Sequence, residues 1–279
     1  AMTDETFARS YAFPPAGLPP MDEDPAANRA IFTTAYAFLP AATMRDIVTS
    51  YFPQWHKTRG WIIARPLSGF AETFAQYAME VAPGGGSDLP EPDAGAEGVI
   101  FVAQGQARLS IDGTNHTLSP GGYAFLPPGC AWTVHNVSDT MLQFHWVRRR
   151  YHAVAGLSTP APFVTTDAEN PIRWMPGTDK WGTTRFTDPE DLRHDMHVNI
   201  VTFHPGGRIP FAETHVMEHG LYVLQGTARY LLNDDWVDVG PGDFMWLRAF
   251  CPQACIATGT EPFRYLLYKD VNRHPALNL

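Results

Sequence analysis

GVIFVAQGQARLSIDG (residues 98–113) and HGLYVLQGTARYLLND (residues 219–234) read as one motif written twice. Each is followed by a second shared piece, LSPGGYAFLPPGCAW (118–132) in one case and VGPGDFMWLRAFCPQ (239–253) in the other. Gly105 with Gly226, Pro120 with Pro241, and Gly121 with Gly242 all stand at one offset, 121 residues (226 less 105). An ungapped offset held through both pieces marks an internal repeat of one structural unit. Within the repeat, residues 99–102, 107–111 and 123–126 are β-branched and aromatic runs bounded by Gly, Pro, Asp or Asn. Such runs are short strands joined by tight turns. The 23 Gly and 25 Pro among 279 residues would punctuate a helical bundle too often. The expectation is an all-β chain of two similar sandwiches or barrels of about 120 residues each. Helical periodicity is weak, and the best helix candidate is residues 41–51.

Working outward, the chain divides into an N-terminal arm (1–25), a first barrel (26–150), a linker rich in Pro, Thr and Ala (151–176) and a second barrel (177–279). The arm is Pro-rich and polar, and is expected to lie over a neighbouring surface or to hang free. Twenty-nine acidic against twenty basic side chains give a net charge of −9, so no general attraction to nucleic acid or to anionic membranes is expected. No apolar run approaches the roughly 20 residues of a spanning helix. Cys130, Cys251 and Cys255 are an odd set, too few for a disulfide scaffold, and suit a reducing cytoplasm. The N-terminus shows no basic stretch followed by an apolar core, so a cytoplasmic protein is expected. A small-molecule substrate is the expected partner. Open barrel edges favour a homo-oligomer.

Metal-type ligands concentrate in the second copy. Glu213, His215 and His219 fall within seven residues, just before the predicted strand 221–225. Residues two apart on a strand share a face, so Glu213 and His215 aim one way and a turn lets His219 join them. A carboxylate with two imidazoles suits a divalent transition metal, and an added amide oxygen favours Mn²⁺ or Fe²⁺ over Zn²⁺. A chance cluster on an exposed loop is the alternative reading.

The two copies resemble the cupin family, whose first motif is G-x5-H-x-H-x3,4-E-x6-G and whose second is G-x5-P-x-G-x2-H-x3-N. In copy two, Gly207, Glu213, His215, His219 and Gly226 keep the spacing of the first motif, with Glu213 in the place of the first His and His219 in that of the Glu. In the second motif Arg248 stands for Pro and Phe250 for Gly, and Gln253 falls at the last metal-binding position. Copy one has Pro92, Ala94, Gly98 and Trp132 at the four ligand positions and cannot hold an ion by that route. A non-metal pocket lined by Trp132 and Glu97 is a secondary expectation for it. The resemblance implies a bicupin, two tandem double-stranded β-helix (jelly-roll) barrels with few short helices.

The altered ligand set narrows the resemblance. Glu-x-His-x3-His with a distant Gln, followed by YLLYKDVNR (265–273), is similar to the two-cupin (S)-ureidoglycine aminohydrolase family of purine catabolism. That family implies one Mn²⁺ per chain in the C-terminal barrel, on Glu213, His215, His219 and Gln253, and release of ammonia from ureidoglycine to give ureidoglycolate. It implies Tyr265 and Lys269 as substrate contacts. On chemical grounds Lys269, whose pKa a neighbouring cation can lower, is expected to be the acid to the departing amine, with Tyr265 assisting. Tyr230 is a weaker contact. One departure concerns the run before the metal motif: the family pattern is Asp, apolar, Asn, apolar, His, whereas this chain reads Asp195-Met-His197-Val-Asn199. His197 and Asn199 still share a face, so the substrate side of the pocket is where an alteration is expected. Because imidazole binds metal when neutral, activity is expected to fall in mild acid as His215 and His219 protonate. Other readings are a different metal cupin, an isomerase or an Fe²⁺ dioxygenase acting on a small carboxylate, or a non-enzymatic metabolite-binding cupin.

Overall fold

The structure, a computed structural model, describes residues 7–66, 69–271 and 273. Among them the regular elements are strands, with two 3-10 turns, Ala41–Thr43 and Asp46–Val48. The segment expected as a helix is those two turns leading into the strand Thr49–Ser50. Ile47, Val48 and Tyr51 stay exposed, so no apolar stripe packs down to hold a helix there. No helix among the described residues is long and apolar enough to cross a membrane.

The second barrel has two walls. One is an eight-stranded sheet in the order Ile31–Phe32, Tyr36–Leu39, Phe244–Leu247, His219–Gln225, Phe263–Asp270, Met196–Phe203, Trp181–Thr184 and Arg173–Trp174. The other has four strands, Arg208–Glu213, Gln253–Thr258, Thr227–Leu232 and Asp235–Val239. The first barrel is one ten-stranded sheet curled on itself. Its long strand Ala75–Ser87 pairs with Leu142–Arg150 through one end and with Trp132–His135 through the other, so a single strand serves both walls. The repeat is visible in the backbone. Gly105 and Gly226 turn with φ of 77° and 74°, and a Cβ would collide with the carbonyl oxygen of Met141 at the first and of Pro262 at the second. The bicupin, all-β expectation is met.

Three apolar clusters form the core. Ile209, Leu221, Tyr230, Phe263 and Tyr265 fill the second barrel, while Trp55, Tyr77, Trp132, Phe144 and Trp146 fill the first. The third lies between the barrels, where Phe74 stacks on Tyr268 and Tyr123 on Phe186, both with centroids 4.0 Å apart. This face-to-face contact of two sheets makes the halves one packed body.

Strand pairing does not respect the boundaries read from the sequence. Tyr36–Leu39, expected in the first barrel, pairs with Phe244–Leu247 of the second. Phe163–Thr166, expected in the linker, pairs with Gly122–Leu126 of the first. The first half thus covers an open edge of the second barrel's sheet, and the linker one of the first barrel's, each satisfying free amides and carbonyls there. Asp167, next in the chain, accepts both Nη groups of Arg264 at 2.8 and 2.9 Å and the Tyr11 hydroxyl at 2.8 Å. The described part of the arm lies over its own chain: Ala12 N donates to Leu224 O, Ser10 N to Gln225 Oε1, and Ala12 O meets His145 Nε2. It bridges the two barrels.

Candidate active site

The interior face of the second barrel follows from register and alternation. In antiparallel pairs, directly opposed residues point to one face. His197 is opposed to Lys269, and Lys269 in turn to His219, which puts the three in a row across neighbouring strands. Tyr265 and Leu267 share the face of Lys269 and belong to the barrel core. Asn199 shares that of His197, so the exchanged pair does line the interior. On the opposite wall Glu213 is opposed to Gln253. His219 opens its strand instead of sitting in a loop, and the His215 ring lies against it with centroids 5.0 Å apart and planes 15° apart. His215 Nε2 is 3.2 Å from Glu213 Oε1. Glu213, His215, His219, Gln253, Tyr230, Tyr265, Lys269, His197 and Asn199 thus gather at one barrel interior.

Two contacts set the fine geometry. Tyr230, fully buried, donates its hydroxyl to Gln253 Oε1 at 2.7 Å and is 3.3 Å from the Tyr265 hydroxyl. It orients the amide, a task that sequence reasoning did not assign it. Phe250 N donates to His215 O at 2.6 Å, tying the His215 loop to the turn before Gln253. That turn puts Phe250 at φ 66°, and Gly129, 121 residues earlier, has φ 74°. The glycine of the family motif is a left-handed position, here carried by an exposed phenylalanine under strain.

Burial dominates the electrostatics. It pushes His219 down to about 3, and the nearby His215 charge adds to this, so His219 stays neutral far below mild acid. His197 is pushed down to about 4, chiefly by burial and then by Lys269. Lys269 is half-buried; burial and then Arg185 lower its pKa, against Asp270 and Glu213, which raise it. Burial holds the Tyr265 hydroxyl protonated. His197 Nε2 and Asn199 Oδ1 are buried without a hydrogen-bond partner among the described residues. Unsatisfied polar atoms on the barrel's interior face are places for a ligand to bond.

The family model for the cupin domain matches residues 77–148 and again 199–268. The (S)-ureidoglycine aminohydrolase of Escherichia coli (strain K12) is 31% identical over 254 residues, 90% of this chain and 94% of that protein. That of Arabidopsis thaliana is 32% identical over 253 residues, 90% of this chain and 80% of that protein. This chain belongs to the (S)-ureidoglycine aminohydrolase family. Named members of the family are hydrolases acting on a C–N bond. A solved structure from Pseudomonas aeruginosa, provisionally named a glyoxylate-induced protein, is 57% identical with a TM-score of 0.91, covering 98% of this chain and all of that one.

Cupin enzymes commonly hold a metal, and the donor set fits one in kind. Two imidazoles, one of them kept neutral by burial, a carboxylate and an amide oxygen oriented by Tyr230 lie together at the barrel interior. Among the described residues no three His, Cys, Asp or Glu side chains form a ready-made cluster for an ion, and His215 rests on Glu213. The first barrel departs from the family's chemistry at the same places. Its ligand positions are Pro92, Ala94, Gly98 and Trp132, and Trp132 packs edge-on against Trp146. The pocket expected between Trp132 and Glu97 does not form. Trp132 points into the first barrel, whereas Glu97 shares the strand face of Val99 and Phe101, which looks toward the second barrel.

Proposed function

We propose that this protein releases ammonia from (S)-ureidoglycine, giving (S)-ureidoglycolate, with one Mn²⁺ per chain held by Glu213, His215, His219 and Gln253, in the cytoplasm. The observation that carries the reading is the joining of that donor set to Lys269 and Tyr265 on one barrel interior, in a chain of the ureidoglycine aminohydrolase family. When bound, the ion would supply Lewis acidity toward the substrate's donor atoms.

The protein's own groups account for the rest. The C–N bond to the amine breaks with its electron pair going to the departing nitrogen. That nitrogen takes a proton from Lys269, whose lowered pKa makes the ammonium a better acid than a solvated lysine. The lone pair of the ureido nitrogen closes a C=N bond with its N–H retained; water then adds to the carbon as the C=N pair returns to nitrogen, and the one proton that this water gives up restores the lysine. Tyr265, neutral and buried, offers a hydroxyl beside this nitrogen. Asn199 Oδ1 is a free acceptor for a ureido N–H, and His197 Nε2 is a second free group for the same end of the substrate.

The test combines metal content and ammonia release. Protein loaded with Mn²⁺ is expected to hold one ion per chain and to release ammonia well above the spontaneous rate, and Glu213→Ala to lose both. Metal retained in full by Glu213→Ala would remove Glu213 from the ligand set. A metal-loaded protein without enhancement would sink the substrate.

A further inference from the structure

The strand Trp181–Thr184 forms the flank of the barrel interior beside Met196–Phe203, with Trp181 opposed to Phe203 and Thr183 to Val201. Trp181 stacks on Phe203 at 5.2 Å with the planes 5° apart, so Trp181 and Thr183 lie on the interior face. By the same alternation Arg185, one residue past the end of the strand, returns to that face, while Phe186 turns away to stack on Tyr123 between the barrels. Arg185 therefore stands next along the row that runs through Asn199 and His197. Its charge bears on both His197 and Lys269. The side chain is half-buried, and among the described residues no carboxylate pairs with it. Arg173, opposed to Thr183, adds a second positive charge nearby. The other arginines of the chain's core show what is normal here: Arg264 is paired with Asp167, Arg148 with Glu91, and Arg149 with Asp195. A guanidinium taken partly out of water without a partner is costly unless an anion docks on it.

We propose that Arg185 is the anion-recognising residue of this site, receiving the carboxylate of the substrate through its guanidinium fork while His197 and Asn199 meet the uncharged end. The identity of that carboxylate rests on the ureidoglycine reading; the demand for an anion does not. Arg185 is a specificity residue at the rim, and the proton transfers stay with Lys269.

Two probes that differ only in charge test this: ureidoacetate, which is ureidoglycine without its amine, and its neutral amide, ureidoacetamide. Calorimetric titration of the metal-loaded wild-type protein is expected to show the acid bound more tightly than the amide by about tenfold to hundredfold, the range for a hydrogen bond to a charged group. Arg185→Gln is expected to abolish that preference at an unchanged melting temperature, and Arg185→Lys to restore part of it. In ammonia release the glutamine variant is expected to raise KM by a similar factor with kcat little altered. A wild-type protein that does not discriminate between the probes, or an Arg185→Gln variant that keeps the wild-type preference, overturns the proposal. If ammonia release proceeds while Arg185→Gln keeps the preference, the function stands and Arg185 does not. Preference lost in the variant of a protein that releases no ammonia keeps the anion site and removes ureidoglycine.

Discussion

Phe250 holds a left-handed backbone with an exposed ring, and its amide supports the loop that carries His215. Its ring buries nothing that would offset the strain, so Phe250→Gly is expected to stabilise the fold by about 0.5–1 kcal/mol, glycine's greater unfolded-state freedom taking back part of the relief. Denaturant titration reads this directly, and a loss of stability would show that the ring has a partner. Tyr230 is the other residue whose role lies in a neighbour. Tyr230→Phe removes the donor to Gln253 Oε1 and leaves that amide free to turn. It is expected to weaken metal affinity by about tenfold to a hundredfold, as losing such an orienting contact does, and unchanged affinity in a chelator competition would contradict the role. At this scale the meeting of Glu213, His215, His219 and Gln253 at one barrel interior was legible, because cupin spacing survives the change of residue chemistry from Glu213 to Gln253. Tyr230's task was not, since a hydroxyl inside a barrel reads in the sequence like any core aromatic. Arg185 had a signal, the alternation from Trp181 through Thr183, but its strand is too short to stand out.

Among the elements, the strands Tyr36–Leu39 and Phe163–Thr166 tie the halves together beside the apolar seam. Phe163–Thr166 lies on the first barrel, and the next residue, Asp167, is fixed in the second by Arg264, with both side chains at most 1% exposed. Removing one partner of a buried pair leaves the other charge unpaired. Asp167→Ala is therefore expected to cost about 3–5 kcal/mol, read as a drop in unfolding free energy, with Tyr11 and the arm released as well. A loss below about 1 kcal/mol would place the pair among those that contribute little. The repeat itself was plain in the sequence, because Gly105 and Gly226 answer the same backbone demand. The exchange was hidden because an edge strand such as Tyr36–Leu39 takes its partner from tertiary placement, and its own four residues carry no mark of which sheet they join.

For the whole molecule, the seam between the barrels carries a buried acid. Glu97 is 1% exposed and faces Asp195, with Arg149, Arg273 and Tyr123 around it. Burial first, then Asp195, raises its pKa well above the ordinary value, so the folded protein holds a proton there that the unfolded chain gives up. Stability from this group is full below the unfolded pKa of 4.5 and is lost as pH rises toward the folded value. Glu97→Gln, which mimics the protonated acid, is expected to melt higher than the wild type at pH 8 by a margin that shrinks toward pH 5. A constant margin across that range would contradict the proton retained on Glu97.

The central claim, that the second barrel splits ureidoglycine while the first only supports it, is tested most directly by following freshly made racemic [¹³C]ureidoglycine by NMR with Mn²⁺-loaded protein. The account predicts that one enantiomer disappears far faster than in a protein-free control, with ureidoglycolate and ammonium appearing in equal amounts, and that Glu213→Ala abolishes the excess. Both enantiomers decaying at the spontaneous rate in the presence of metal-replete protein would contradict it.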